Sequence, residues 1–234
     1  MSLYLILLAG FLLGVKHATE PDHLAAVATL SAGRQTVAQT VRQGVAWGIG
    51  HAATLMLFGG LVLALGKAVP PWMAQALEFA VALMLIGLGA DVLLRLRRQK
   101  IHFHVHHHAP SILHVHAHSH SKDSLTHGHP HGLPLRALSV GMMHGMAGSA
   151  ALILLSLEAV ESVELGLVYI ALFGLGSVAG MALLSVAIAI PLSLSASGRL
   201  TWLRNGITVA VGMASCLLGA AMVFHIGASG VLFL

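Results

Sequence analysis

The sequence predicts an all-α integral membrane protein whose six transmembrane helices form two inverted three-helix repeats, the first helix being broken near Pro21. One observation is the composition: 57% of the 234 residues are hydrophobic and 9% are charged, which excludes an ordinary soluble domain. A second is the repetition of glycine and histidine patterns between the two halves. The third is a set of six apolar segments long enough to cross a bilayer, namely 2–31 (broken at 17–23), 42–66, 72–94, 136–157, 164–194 and 202–226.

The repeat is seen when the two halves are aligned. The pattern that ends at His17 recurs at His144, an offset of 127 residues (144 − 17), and the Gly-x-Gly-His pattern that ends at His51 recurs at Ser177, an offset of 126 (177 − 51). Each half holds three spans, an odd number, so the halves run in opposite directions, as in many secondary transporters. We therefore expect residues 1–100 to form the first repeat, 101–134 a cytoplasmic histidine-rich loop and 135–234 the second repeat.

The charged residues indicate how the chain crosses the membrane. The odd-numbered connections carry most of the basic residues, and the opposite side carries few of them together with an acidic group. By the positive-inside rule, the loop is cytoplasmic, both termini are outside and the protein is a multi-pass protein of the cell (plasma or inner) membrane. The net charge of +4 is spread over the ends of apolar segments, so we expect no nucleic-acid partner. The single cysteine excludes an intramolecular disulfide and a thiolate-rich metal site.

The first span contains an unusual group of polar residues, which includes His17, Glu20, Asp22 and His23. On an unbroken helix, Asp22 and His23 would point about 140° and about 120° away from His17, on opposite sides. Pro21 removes a backbone donor and disfavours helical geometry at the preceding residue, so it predicts a break at which these side chains can converge. Because imidazole and carboxylate bind borderline divalent transition metals, the sequence predicts a metal site in a broken helix.

Two further histidines lie at a matching depth in other spans. His51 and His144 are about 12–14 Å from the arginine-bearing edge, and His17 falls at a comparable level. We therefore expect these three histidines to form one site. The ion would be held by His17, Asp22, His23 and His51, with His144 and Glu20 as candidate further ligands. The alternative is that His51 and His144 each form a hydrogen bond with a neighbouring helix and bind no metal.

The loop between the third and fourth spans is dominated by histidine. A tract of this composition is expected to be largely disordered without metal and to favour nickel, cobalt, copper or zinc over magnesium or calcium. It would serve as a metal buffer, a sensor that gates transport or a collector for an exporter; the alternative is a hydrophilic spacer. The weaker metal ligands predicted in it are His102, His104, His106, His107, His108, His114, His116, His118, His120, His127, His129 and His131.

The pattern His17-x4-Asp22-His23 resembles the signature of the nickel/cobalt transporter (NiCoT) family, and the stretch around His144 resembles its short UreH-type urease-accessory branch. The resemblance covers all six spans. It implies transport of Ni²⁺ or Co²⁺, with His17, Asp22 and His23 as metal-handling positions. The sequence departs from the family pattern at Lys16, where the family has arginine, and at positions 20–21, where it has Asp-Ala. Full-length members also have eight spans.

These observations predict a secondary transporter of divalent transition-metal ions, most readily Ni²⁺, with uptake slightly favoured. The metal is then a transported substrate; no enzymatic activity and no cofactor are expected. The predicted partners are the metal ion, the lipid bilayer and, as candidates, a cytoplasmic metallochaperone or urease maturation proteins. One alternative is a Ni²⁺/Co²⁺ exporter with the loop as collector. A more distant one is a membrane-embedded metalloenzyme with a 2-His-1-carboxylate site, although the additional histidine boxes of a di-iron desaturase are missing.

Overall fold

The computed structural model of the protein describes residues 3–32, 36–66, 69–98, 102–108, 112–118, 134–146, 162–194 and 201–228. These residues form seven α-helices and one pair of β-strands. The elements are α1 (Leu3–His17), α2 (Pro21–Ser31), α3 (Val37–Leu65), α4 (Pro71–Arg98), β1 (His102–His108), β2 (Ile112–His118), α5 (Leu135–Gly145), α6 (Val163–Leu194) and α7 (Thr201–Ala228).

The long helices have the dimensions of membrane spans. Among the described residues, α3, α4, α6 and α7 are long and apolar enough to cross a bilayer, and α1 is a shorter apolar helix. The predicted segments differ from these helices by a few residues at each end; α3, for example, begins earlier because the Thr36 side chain accepts a hydrogen bond from the Gln39 backbone N–H. The predicted span 136–157 is described only as far as α5, and residues 147–161 lie outside the described part of the chain.

The first span is interrupted where the proline predicts it. Helix α1 ends at His17, and α2 begins at Pro21 after Glu20 adopts an extended conformation with φ −63° and ψ 148°. A tight turn joins them, in which the Thr19 and Glu20 backbone N–H groups donate to the carbonyls of Lys16 and His17. Proline fits the first position of a helix and disfavours helical geometry in the residue before it, which accounts for the break.

The histidine-rich loop differs from the sequence-based expectation. Two of its stretches form the antiparallel strands β1 and β2, so the expectation of disorder is wrong for them and the all-α description needs this addition. Residues alternating as His-x-His have a period of two, which suits a strand. The register pairs His102 with His118 and His104 with His116, while His120, His127, His129 and His131 lie outside the described residues.

Close contacts at glycines fix the relative directions of the helices. Gly10 contacts Tyr169, and Gly14 lies against the backbone of Phe173, so residue numbers rise together along α1 and α6 and these helices are parallel. Contacts of Gly141 with Trp47 and of Gly145 with His51 show in the same way that α5 is parallel to α3.

Two other helix pairs are antiparallel. Gly48 packs against Val178 whereas Gly59 packs against Ile170, so α3 and α6 are antiparallel. Gly89 meets Gly212 and Gly219 meets Ala82, so α4 and α7 are antiparallel too. Glycine permits these approaches because a side chain would push the helices apart.

The contacts of the first half recur in the second. Gly14 against Phe173 corresponds to Gly141 against Trp47, at offsets of 127 (141 − 14) and 126 (173 − 47). Gly176 against Phe11 corresponds in the same way to Gly50 against Leu138. Matching positions of the two halves therefore make matching helix contacts.

Buried apolar side chains form two clusters along α3. The larger cluster includes Trp47, Val27 and Leu85, and the smaller cluster consists of Leu55, Ile170 and Phe173. Trp47, His51 and Leu55 occupy successive turns of α3, so His51 lies between the two clusters.

Candidate metal centre

The predicted site residues meet in two overlapping groups that share His23. Ligand atoms of His17, His23 and His51 lie within 4.8 Å of one another, and those of Asp22, His23 and His144 do the same. The residues come from α1, α2, α3 and α5. The four histidines are buried, with exposed fractions of 4% or less, so the centre lies inside the helix bundle.

The imidazole rings pack directly on one another. The ring centroid of His23 lies 4.2 Å from that of His17, 5.2 Å from that of His51 and 4.3 Å from that of His144. The rings of His17 and His51 are 5.4 Å apart. The break after His17 makes this packing possible, because it lets α2 turn His23 towards the residue that ends α1.

Several buried ring nitrogens lack a hydrogen-bond partner among the described residues. They are both nitrogens of His17 and of His51, Nε2 of His23 and Nδ1 of His144. A buried polar atom without a partner is costly and calls for an explanation, such as an ion that binds there. The geometry also argues against the alternative role for His51, because neither of its nitrogens forms a hydrogen bond with a neighbouring helix in the described part of the chain.

Asp22 links two of the histidines through its two carboxylate oxygens. Its Oδ1 is 2.9 Å from His23 Nδ1, and its Oδ2 is 3.1 Å from His144 Nε2. When each of these ring nitrogens carries the proton and donates it to Asp22, the opposite nitrogen of each ring keeps a lone pair for a metal. A carboxylate in this place therefore fixes the ring orientation and tautomer of two candidate ligands on two helices.

Glu20 lies at the edge of the centre. Its Oε1 is 2.9 Å from His17 Nδ1, at ion-pair distance but without hydrogen-bond geometry, and its side chain is 41% exposed. All six residues predicted for the membrane site are thus brought together. The loop histidines that were predicted as weaker ligands lie on β1 and β2 or outside the described residues, and neither group contains one.

The sequence analysis missed two aromatic residues that contact the histidines. Trp47 is stacked on His51, with centroids 5.8 Å apart and an interplanar angle of 18°, and it lies 5.3 Å from both His23 and His144. Phe173 lies 5.3 Å from His17. Two features of the sequence could have identified these aromatic residues. One is the spacing of four residues between Trp47 and His51, and the other is the repeat offset that relates Trp47 to Phe173.

Comparisons with known proteins agree with this chemistry. A protein-family profile described as NicO, high-affinity nickel-transport protein, matches residues 3–232. The urease accessory protein UreH of Bacillus sp. (strain TB-90) is 35% identical over 249 aligned positions, which cover 100% of this chain and 96% of that protein. No solved structure matches the chain significantly.

Proposed function

Because the chain belongs to the NicO family of high-affinity nickel-transport proteins, we propose that it moves Ni²⁺ across the membrane through the buried centre of His17, His23, His51, Asp22 and His144. The protein is a transporter and not an enzyme, and nickel is its substrate and not a cofactor. The observation that carries the proposal is the set of buried imidazole nitrogens without hydrogen-bond partners among the described residues.

The proposal gives the residues different roles. His17, His23 and His51 bind the ion directly, each through a ring nitrogen. Asp22 acts behind them as the acceptor for His23 and His144, which keeps lone pairs directed at the metal. His144 belongs to the second group and offers the ion its next ligand, while the more exposed Glu20 provides a carboxylate at the edge of the centre. This ligand set suits Co²⁺ as well as Ni²⁺.

The proposal includes six spans arranged as two inverted repeats. The helix directions support it. Helices α3 and α6, which match in the two halves, are antiparallel, and so are α4 and α7. Helix α1 is parallel to α6 and α5 is parallel to α3, so α1 and α5 are also antiparallel. Inverted repeats of this kind commonly hold a substrate site near the middle of the membrane.

We assign the helix ends that carry most of the arginines to the cytoplasm. We assign uptake as the direction of nickel transport. A membrane potential drives cations inward by about 2.3 kcal/mol per charge per 100 mV, or about 4.6 kcal/mol for Ni²⁺. Export would require coupling to another ion, and the histidine-rich loop would then collect the metal. The name of the relative, a urease accessory protein, supports cytoplasmic nickel delivery to urease maturation proteins or a metallochaperone.

Flux of radioactive nickel into proteoliposomes tests the proposal. The wild-type protein is expected to carry nickel, and His17→Ala and His51→Ala are expected to reduce the flux by about 10–100-fold or more, because each removes a ring that would bind the ion. His225→Ala is the matched control, since this histidine is exposed near the end of α7. The absence of nickel flux through the wild-type protein in either direction would overturn the proposal.

A further inference from the structure

One aromatic side chain packs against the histidines on each side of the metal centre, Trp47 on one and Phe173 on the other. On α3, Gln43, Trp47, His51 and Leu55 follow one another at intervals of four residues and therefore lie along one face. Trp47 is fully buried, stacks on His51 and belongs to the larger apolar cluster. Leu55, one turn beyond His51, belongs with Phe173 to the smaller cluster.

A cavity approaches the centre from the arginine-rich side. It has a volume of about 340 Å³, and its lining includes Asp91, Arg95, Arg136 and Gln43. Leu30 and Leu88, which also line it, are members of the larger apolar cluster. Gln43 precedes Trp47 by one turn, so Trp47 and its cluster separate the cavity from His51.

Phe173 has the corresponding place on the other side. It is 4% exposed and contacts His17, and Ile170 extends the smaller cluster away from the centre. Because α6 is antiparallel to α3, the residues that precede Phe173 lead to the side opposite the arginines. The internal repeat relates the two aromatics, since Phe173 is 126 positions after Trp47.

The helix backbones at Trp47 and Phe173 are closely packed against other helices, whereas the indole ring of Trp47 has no hydrogen bond within the described residues. Gly141 lies against the Trp47 carbonyl and Gly14 against the Phe173 carbonyl, so each aromatic residue lies where two helix backbones are in close contact. The Trp47 Nε1–H has no hydrogen-bond partner among the described residues, so no hydrogen bond resists a rotation of the ring.

We propose that Trp47 and Phe173 are the two gates of the metal centre, Trp47 closing it towards the arginine-rich cavity and Phe173 closing it towards the opposite side. The inference rests on the proposed transport function and extends it. Each ring leaves its position to admit or release the ion on its own side. Both rings in place give the closed state that a carrier needs between its two open states.

A thiol placed inside the centre tests the gates without requiring transport. His23→Cys is made in a Cys216→Ser background, where serine keeps the donor that Cys216 directs at the Ile86 carbonyl. A membrane-impermeant methanethiosulfonate is added to either face of sealed vesicles. A separate Arg98→Cys variant, in which the exposed end of α4 is labelled, identifies the arginine-rich face.

Removing the side chain of one gate is expected to increase the labelling rate of the cysteine at position 23 from one face of the membrane only. Closed carriers populate open states at about 0.1–10%, so permanent opening should raise the labelling rate by about tenfold or more. Trp47→Ala should do so from the arginine-rich face and Phe173→Ala from the opposite face. Trp202→Ala and Phe224→Ala are the controls, because these aromatics are 72% and 78% exposed and should change neither rate.

The outcomes separate this inference from the proposed function. The gates are refuted if, in both gate variants, the labelling rate rises equally from both faces or rises from neither face. This holds even when the wild-type protein carries nickel normally. One-sided labelling, together with no nickel flux through the wild-type protein in either direction, supports the gates and refutes transport. If Trp47→Ala does not fold, Trp47→Leu replaces it, because leucine keeps the apolar packing without the ring. An unchanged labelling rate in folded Trp47→Leu overturns the gate at Trp47.

Discussion

Replacing Asp22 with asparagine tests the division between residues that bind the ion and residues that orient them. The aspartate accepts one hydrogen bond from His23 at 2.9 Å and one from His144 at 3.1 Å, through different oxygens. Asparagine keeps the shape but has a single acceptor oxygen, so at least one histidine can no longer donate to this side chain and its preferred tautomer is lost. A hydrogen bond to a charged group is worth about 1.5–3 kcal/mol, and loss of such a partner behind a metal ligand typically weakens metal binding by about 10–100-fold.

The assay is equilibrium binding of radioactive nickel to purified protein whose loop histidines between 102 and 131 have been replaced by serine. We expect Asp22→Asn to bind about 10–100-fold more weakly than the parent, and His51→Ala to lose binding more completely. Asp91→Asn is the control. Asp91 also uses both carboxylate oxygens, towards Arg95 and Arg136, but it lies outside both groups of the centre. If Asp22→Asn abolishes binding as fully as His51→Ala, Asp22 binds the ion directly; if its affinity is unchanged, the orienting role is wrong.

Three further predictions follow from the same geometry. Gly141→Ala places a methyl group against the Trp47 carbonyl and should destabilise the protein by about 1–3 kcal/mol in thermal unfolding. Gly87→Ala should not, because no atom of another described helix lies within 4 Å of the added carbon; equal losses would contradict the packing. Deleting residues 102–131 should lower the number of nickel ions bound per protein but leave the nickel affinity of the membrane centre unchanged, because neither of the two ligand groups of the centre contains a loop residue. A lower nickel affinity of the centre would show that the loop contributes to it. Nickel affinity should fall as the pH falls, because protons compete with the metal for imidazole nitrogens; a pH titration of nickel binding in which the affinity rises towards acid would contradict a histidine centre.

The parts that the sequence predicted depend on local chemistry. Pro21 determines where the first span breaks, and the structure ends α1 at His17 and begins α2 at Pro21. The His17-x4-Asp22-His23 pattern indicated the family, which the profile match confirms. Depth in the membrane and the internal repeat predicted that His51 and His144 join the site, and the structure places both beside His23. Nickel binding by these residues stays a prediction.

The parts that the sequence analysis missed depend on how distant helices pack. Asp22 and His144 are 122 positions apart, and their hydrogen bond requires both α2 and α5 to approach α3, which α5 does where Gly141 meets Trp47. In an apolar chain a buried tryptophan is unremarkable until its contacts with histidines are known. The strands in the loop were missed for a different reason, because composition suggested disorder while the two-residue period of the histidines fits a strand.

The ends of three helices support the proposal that a cation binds at this place, although Lys16 adds a positive charge in the last turn of α1. The C-terminal end of a helix carries a partial negative charge, and both α1 and α5 bring a histidine in their last turn to the centre, His17 and His144. The N-terminal end of α2 also reaches it and carries the opposite partial charge. Its effect is offset by Asp22 in the first turn and by Glu20 immediately before the helix. Because α1 and α5 run in opposite directions, the two C-terminal helix ends reach the centre from opposite sides. In the proposed centre, the broken first helix therefore contributes candidate ligands and the partial negative charge at the end of α1. Its acidic residues offset the partial positive charge at the end that the break creates.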